Sequence, residues 1–179
     1  MKVRGRLGLQ QRLLPDYRVE FFDALAGACP EGLGVFAGRP RAREGVAAGE
    51  LRVARQFRAG NVHLLGGPLY LCYQRGLIDW LEEWNPQALI AEANPRYLST
   101  GAALDWMRRR GRRVIGWGLG APPLAGPLSG LREQGRRAFL RRFDALIAYS
   151  RRGADEYARL GFPRSAIFVA PNAAVRQPP

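Results

Sequence analysis

Few residues in this sequence are placed for bond-breaking chemistry. The one histidine, His63, lies in a strand-like run with no serine or cysteine nucleophile beside it, so it reads as a core or surface histidine. Cys29 and Cys72 sit among apolar neighbours with no companion at a metal-ligand spacing. They read as inert, reduced thiols, and no metal site is expected.

Four polar clusters remain. Gln10-Gln11-Arg12-Leu13-Leu14-Pro15-Asp16-Tyr17-Arg18 and Glu92-Ala93-Asn94-Pro95-Arg96-Tyr97 both mix arginine and tyrosine with amide or carboxylate groups. That chemistry suits a hydroxylated or phosphorylated ligand, the alternative being ordinary solvated loops. Gly116-Trp117-Gly118-Leu119-Gly120 allows a ligand to approach the backbone closely, but it lacks the GxGxxG spacing of a dinucleotide fingerprint. In Ser150-Arg151-Arg152-Gly153, two arginines in a first helical turn oppose the helix dipole and would be better placed with an anion bound. Solvated arginines in an arginine-rich chain are the alternative.

These clusters fall between regularly alternating short β-type runs and amphipathic helical segments, the pattern of βαβ units. Strands are expected near 2–9, 32–37, 61–65, 87–93, 113–118, 145–149 and 166–170. Helices are expected from Pro15-Asp16 to about Cys29, from Leu71 to Trp84, from Ser99 to Arg110, from Ser129 to Phe143, and from Ser150 to Gly161. Residues 39–60 read as a loop or a poorly patterned helix. The expected fold is a single Rossmann-like α/β domain whose mostly parallel sheet has about six or seven strands flanked by helices. In such a sheet ligands bind beyond the carboxyl ends of the strands where strand order reverses, and this rule selects the loops after the first and fourth strands.

The 179 residues suffice for one domain, and 47% of them are hydrophobic. No apolar run is long enough to span a bilayer, and no secretory signal follows Met1, so a cytoplasmic protein is expected. The net charge of +13 is almost all arginine, Lys2 being the one lysine. It calls for an anionic partner such as nucleotide phosphates, an anionic membrane surface or nucleic acid, although arginine usage also follows genome composition or heat adaptation.

The stretch Leu9 to Phe22, then Asn94-Pro95-Arg96-Tyr97-Leu98-Ser99 and Gly116 to Gly120, resemble bacterial family-4-type glycosyltransferases of the GT-B fold. The most specific likeness is Phe143-Asp144-Ala145-Leu146-Ile147-Ala148-Tyr149-Ser150, followed by Leu160-Gly161-Phe162-Pro163 and Ile167-Phe168-Val169-Ala170-Pro171-Asn172. This is similar to the segment with which the family closes its first domain. Two departures stand out: Leu119 where relatives often carry histidine, and Ala173 where glycine is usual after Pro171-Asn172.

The resemblance implies that residues 1–172 are the acceptor-binding N-terminal domain and 173–179 the start of a linker toward a C-terminal donor domain. A nucleotide-sugar would be held by that second domain, and no cofactor by this one. The implied acceptor is a sugar, glycan or lipid-linked cell-envelope molecule, contacted by Arg12, Tyr17, Arg18, Asn94 and Arg96. Glu92 would orient its hydroxyl, while Trp117 and the amides of Gly118 and Gly120 would face the cleft. Ser150, Arg151 and Arg152 are the anion-binding candidates.

The arginine face of 129–143 could lie against anionic headgroups at the inner face of the membrane. The apolar surface meant for the second domain could instead drive self-association. The rivals are a nucleic-acid-binding module, against which no helix-turn-helix, zinc-finger or RRM signature is seen, and a complete small α/β enzyme or nucleotide-binding protein of flavodoxin-like type.

Overall fold

A computed structural model describes residues 4–171. The chain begins with β1 (Leu7–Leu13) and, after a 3-10 turn at Asp16–Arg18, α1 (Val19–Gly27) and β2 (Leu33–Gly38). It continues through β3 (Arg55–Arg58), β4 (Gly60–Leu64), β5 (Leu71–Arg75), α2 (Leu77–Trp84) and β6 (Ala88–Glu92). The second half runs α3 (Leu98–Arg109), β7 (Arg113–Gly118), α4 (Ser129–Leu140), β8 (Ala145–Ala148), α5 (Arg151–Arg159) and β9 (Ile167–Val169).

Seven strands form one wholly parallel sheet in the order β3-β2-β1-β6-β7-β8-β9. From β1 the chain moves outward to β2 and β3, then returns to β6 and moves outward on the other side. The strand order therefore reverses between β1 and β6. The fold is the expected Rossmann-like α/β domain.

Alternation along the strands divides the core between two faces. Leu9, Val35, Ile90 and Trp117 meet Phe22 of α1 on one side. Leu89, Ala91, Val114 and Leu146 meet Trp80, Leu104, Met107 and Tyr157 of α2, α3 and α5 on the other. Trp84 lies so close to the sheet that a Cβ on Gly34 would fall 2.6 Å from its ring. Its indole N–H donates to the Leu7 carbonyl at 2.9 Å, and Trp80 stacks on Phe36 with centroids 5.1 Å apart. α2 stops at Asn85, in the left-handed region at φ 52° just before Pro86. α5 starts at Ser150, whose Oγ accepts the Gly153 N–H at 3.0 Å.

Several expected boundaries are corrected. The first strand is displaced to Leu7–Leu13, so Gln10, Gln11 and Arg12 belong to a strand; residues 1–3 lie outside the described residues. The helix expected over 71–84 is half strand: β5 buries Cys72 and Gln74 on one side, a period of two, and Gly76 at φ 79° separates it from α2. Residues 61–65 are not in the main sheet but pair antiparallel with β5 as a hairpin. Their place at the sheet edge is taken by β3, inside the 39–60 segment read as loop or helix. α4, expected to run to Phe143, ends at Leu140, and its Leu131 is 65% exposed. The expected linker start at 173–179 lies outside the described residues, as does Ala173.

Candidate active site at the strand-order reversal

Glu92 is the last residue of β6, beside β1 at the point of reversal, and it is half-buried. Its carboxylate accepts the Arg12 backbone N–H, and its own N–H donates to Gln10 Oε1 at 3.1 Å. Gln10 Nε2 in turn donates to Gln74 Oε1. The amide of Gln74, from the hairpin, donates to the Gln11 carbonyl and to Asn61 Oδ1, both at 3.0 Å, and its backbone N–H reaches Ser99 Oγ at 3.0 Å. Asn61 Nδ2 then donates to the Arg12 carbonyl at 2.6 Å. Gln10, Gln11 and Gln74 are all buried. The hairpin thus plugs one side of the crevice with amides.

Arginines close the other sides. Arg18, carried by the 3-10 turn after β1, donates to Gln11 Oε1 at 2.9 Å and to the Tyr149 hydroxyl at 3.0 Å. Its guanidinium lies 5.4 Å from the ring centroids of both Trp117 and Tyr149. Arg12 pairs with Glu44 at 2.7 Å, and Glu44 also receives the backbone N–H and guanidinium of Arg41. Desolvation would raise the Glu44 carboxyl, but the Arg41 and Arg12 donors bring it down to about 2.

Glu92 moves the opposite way. Burial pushes its carboxyl up to about 7, only partly opposed by the Arg12 amide and by the Arg12 and Arg18 charges. Burial also raises Tyr97, with the Glu92 charge adding to the effect. Two donors beside this carboxylate, Gln11 Nε2 and Arg18 Nε, are buried without a partner among the described residues. A carboxyl poised near neutrality, flanked by guanidinium groups and unpaired donors, can exchange a proton with a hydroxyl while its surroundings hold an anionic or polyhydroxylated molecule.

Arg12, Arg18 and Glu92 therefore converge on one crevice. Asn94 and Arg96 lie in the following loop, where Asn94 Oδ1 accepts the Arg96 N–H at 3.1 Å and the Arg96 carbonyl accepts the Cys72 N–H at 2.9 Å. Tyr17 stands exposed beside Arg18. Trp117 is buried against Phe21 and Phe22 and forms the floor under Arg18 instead of an open cleft wall.

The expectation for Gly118 and Gly120 needs correction. The Gly120 N–H donates to the Tyr157 hydroxyl at 3.2 Å, and a Cβ on Gly118 would lie 2.6 Å from that hydroxyl. Gly118 makes room for Tyr157, whose phenol burial pushes up to about 12, whereas a Cβ on Gly120 would meet Glu156 Oε2 and the Gly153 backbone. At the start of α5, Ser150 is engaged as the cap, Arg151 is exposed, and Arg152 pairs with Glu156 at 3.2 Å.

Sequence reasoning missed Gln74, Asn61, Glu44 and Tyr149, which hold this crevice. It also missed an open groove of about 1330 Å³ between α1 and the ends of β2 and β3, lined by Asp16, Phe21, Asp23, Arg39, Val53 and Arg58 among others. The perturbed carboxylate and the buried unpaired donors, however, lie at the strand reversal, which makes that crevice the candidate for chemistry. Asp23 shapes the groove by accepting the N–H groups of Arg52, Val53 and Ala54 at 2.9–3.2 Å.

The glycosyl transferase 4-like domain model matches residues 15–173 of this sequence. The chain belongs to that family. No curated protein matches this glycosyl transferase 4-like domain. Among solved structures it is similar to UDP-GlcNAc 2-epimerase from Neisseria meningitidis bound to UDP-GlcNAc, at 13% identity and TM-score 0.49, over 94% of this chain and 45% of that one. The enzyme of the same name from Methanocaldococcus jannaschii gives 11% identity and TM-score 0.49, over 92% and 44%. The domain therefore spans less than half the length of either epimerase. No helix among its described residues is long and apolar enough to cross a membrane.

Proposed function

We propose that this domain is the acceptor-binding half of a glycosyltransferase, in which Glu92 receives the proton of the acceptor hydroxyl. In such a transfer the acceptor O–H bond breaks, its oxygen bonds to the anomeric carbon, and the nucleoside diphosphate leaves with the electrons of the old glycosidic bond. The proton passes to the Glu92 carboxylate. Arg12 and Arg18 hold the acceptor against it, the Arg12 backbone N–H fixes the carboxylate, and Gln10, itself held by Gln74, anchors the Glu92 backbone. The nucleotide-sugar is bound by a second domain.

The observation that carries this reading is Glu92 itself, raised to about 7 between two arginines where the strand order reverses. Glycosyl transfer and nucleotide-sugar hydrolysis are to be measured for the 179-residue chain and for the product of the complete gene. Transfer by the complete product alone is the expected result. Transfer by the short chain would remove the need for a second domain, and transfer by neither would favour a nucleotide- or nucleic-acid-binding module.

A further inference from the structure

The carboxyl ends of β2 and β3 make a feature that the Glu92 chemistry does not use. Ala37 and Arg58 face each other across this parallel pair, and the Ala59 N–H donates to the Ala37 carbonyl at 3.0 Å. Arg39 leaves β2 and Arg58 ends β3, so the two guanidinium groups start from neighbouring strands at one end of the sheet. With Ala37, Ala59, Asn61 and His63 they line a recess of about 290 Å³ that has no carboxylate in its lining. Arg58 meets Glu50 at 4.0 Å, the outer limit of an ion pair, with both side chains in solvent.

The walls of the recess are fixed. Asn61 is held by the Arg12 carbonyl and by Gln74, and it lies so near β2 that a Cβ on Gly38 would fall 2.2 Å from its amide nitrogen. His63 Nδ1 is engaged with the Tyr70 hydroxyl at 2.8 Å, which leaves Nε2 as the ring's other hydrogen-bonding atom. Burial, then the Arg41, Arg12 and Arg43 charges, hold the imidazole below its ordinary value against the opposing pull of Glu44.

Through Ala37, Arg39 and Arg58 the recess opens into the large groove, whose α1 side carries Asp16, Glu20 and Asp23. The combined space therefore carries carboxylates along the α1 side and at Glu50, and the Arg39 and Arg58 guanidinium groups at the strand ends. Carboxylates bind hydroxyl groups, whereas paired guanidinium groups match the geometry of a phosphate.

We propose that the Arg39–Arg58–His63 recess binds a phosphate group carried by the acceptor. This rests on the reading of the domain as an acceptor-binding half. It makes the acceptor a phosphorylated, hydroxyl-bearing molecule. Asn61 links the two places, since it lines the phosphate recess while hydrogen-bonding the backbone of Arg12 next to Glu92.

The test is titration of the isotope-labelled chain with inorganic phosphate, followed by NMR. Saturable shifts of the Arg39 and Ala59 amides, with a rise in the His63 titration midpoint, are expected. The R39Q/R58Q pair should weaken binding at least tenfold, and R151Q/R152Q should leave it unchanged. Equal binding by R39Q/R58Q, or shifts centred on residues 150–153, would overturn the proposal. Glucose 6-phosphate and phosphatidate vesicles then separate a sugar phosphate from a lipid phosphate by which one displaces inorganic phosphate at His63, and displacement by neither would also overturn it. Because the readout is binding, it stands or falls separately from the transfer assay.

Discussion

The reversal point between β1 and β6 and the arginine-rich start of α5 carry the same kinds of residues in opposite states. At the reversal point Arg12 and Arg18 are half-buried, each is hydrogen-bonded, and they flank a carboxyl pushed up to about 7. At α5, Arg151 is exposed and the Arg152 side chain is 87% exposed. Charge is plentiful in both places, but the arginines are half-buried in the first and exposed in the second, even though Glu156, the partner of Arg152, is itself buried. The abundance of arginine therefore says little about where this protein acts; the perturbed carboxyl between Arg12 and Arg18 says more.

The sharpest way to break this comparison is Glu92→Gln in the product of the complete gene. We expect kcat for transfer to fall on the order of 100-fold or more, with little change in KM. The wild-type rate should decline as pH drops through about 7, where the carboxylate is lost. Stability runs the other way. A carboxyl whose folded value is raised binds its proton more tightly when folded, so stability falls as pH rises from its ordinary value of 4.5 through about 7. Melting curves across that window should show a smaller loss for E92Q, which resembles the protonated form. An unimpaired rate for E92Q would reduce the crevice to a structural network.

Gln74→Ala comes next. It strips partners from Gln10, Gln11 and Asn61 in a buried place, and about 3 kcal/mol of stability, or a Tm lowered by roughly 6–12 °C, is expected by thermal denaturation. A smaller effect follows for Asp23→Ala, which frees three backbone N–H groups at the groove, at about 1–2 kcal/mol. Desolvation opposes it, but the Val53, Ala54 and Arg52 amides lower the Asp23 carboxyl. The wild-type advantage is then present above the ordinary value of 3.8 and vanishes as pH falls toward the folded one, which acid denaturation of both proteins would reveal.

At α5 the contrast is finest. Ser150→Ala should remove about 1 kcal/mol by losing the cap to Gly153, whereas Arg151→Gln should stay within about 0.5 kcal/mol by chemical denaturation. An Arg151 effect as large as that of Gln74 would overturn the view that this arginine is idle.

The sheet was legible because apolar runs such as Leu33–Gly38 and Ala88–Glu92 are short, β-rich and separated by helical segments. The hairpin was not. Its inward positions are Cys72 and Gln74, and a buried glutamine hides the period of two that an apolar residue would have shown, while Tyr73, Leu77, Leu81 and Trp84 imitate a helix across the break at Gly76. The polarity of Gln10 and Gln11 likewise read as a loop. Glu92, Arg12 and Arg18 could be picked from the reversal rule, but Asn61 and Gln74, far from them in sequence, could not. Nor could spacing show that the Tyr157 hydroxyl takes up the Gly120 N–H and lies against Gly118.

The hairpin is inserted in the crossover from β3 to β6. Outside its own ladder, the backbone of β5 joins the rest of the chain through the Cys72–Arg96 and Gln74–Ser99 hydrogen bonds, and the hairpin docks through the buried Cys72 and the amides of Gln74 and Asn61. Two strands alone are marginal in water, so this element can open as a local unit well below the energy of global unfolding. Amide protons of β4 and β5 would then exchange ahead of those of β1 and β6. Each such opening wets Gln10 and Glu92, so the proton affinity of the carboxylate lasts only as long as this two-stranded hairpin stays shut.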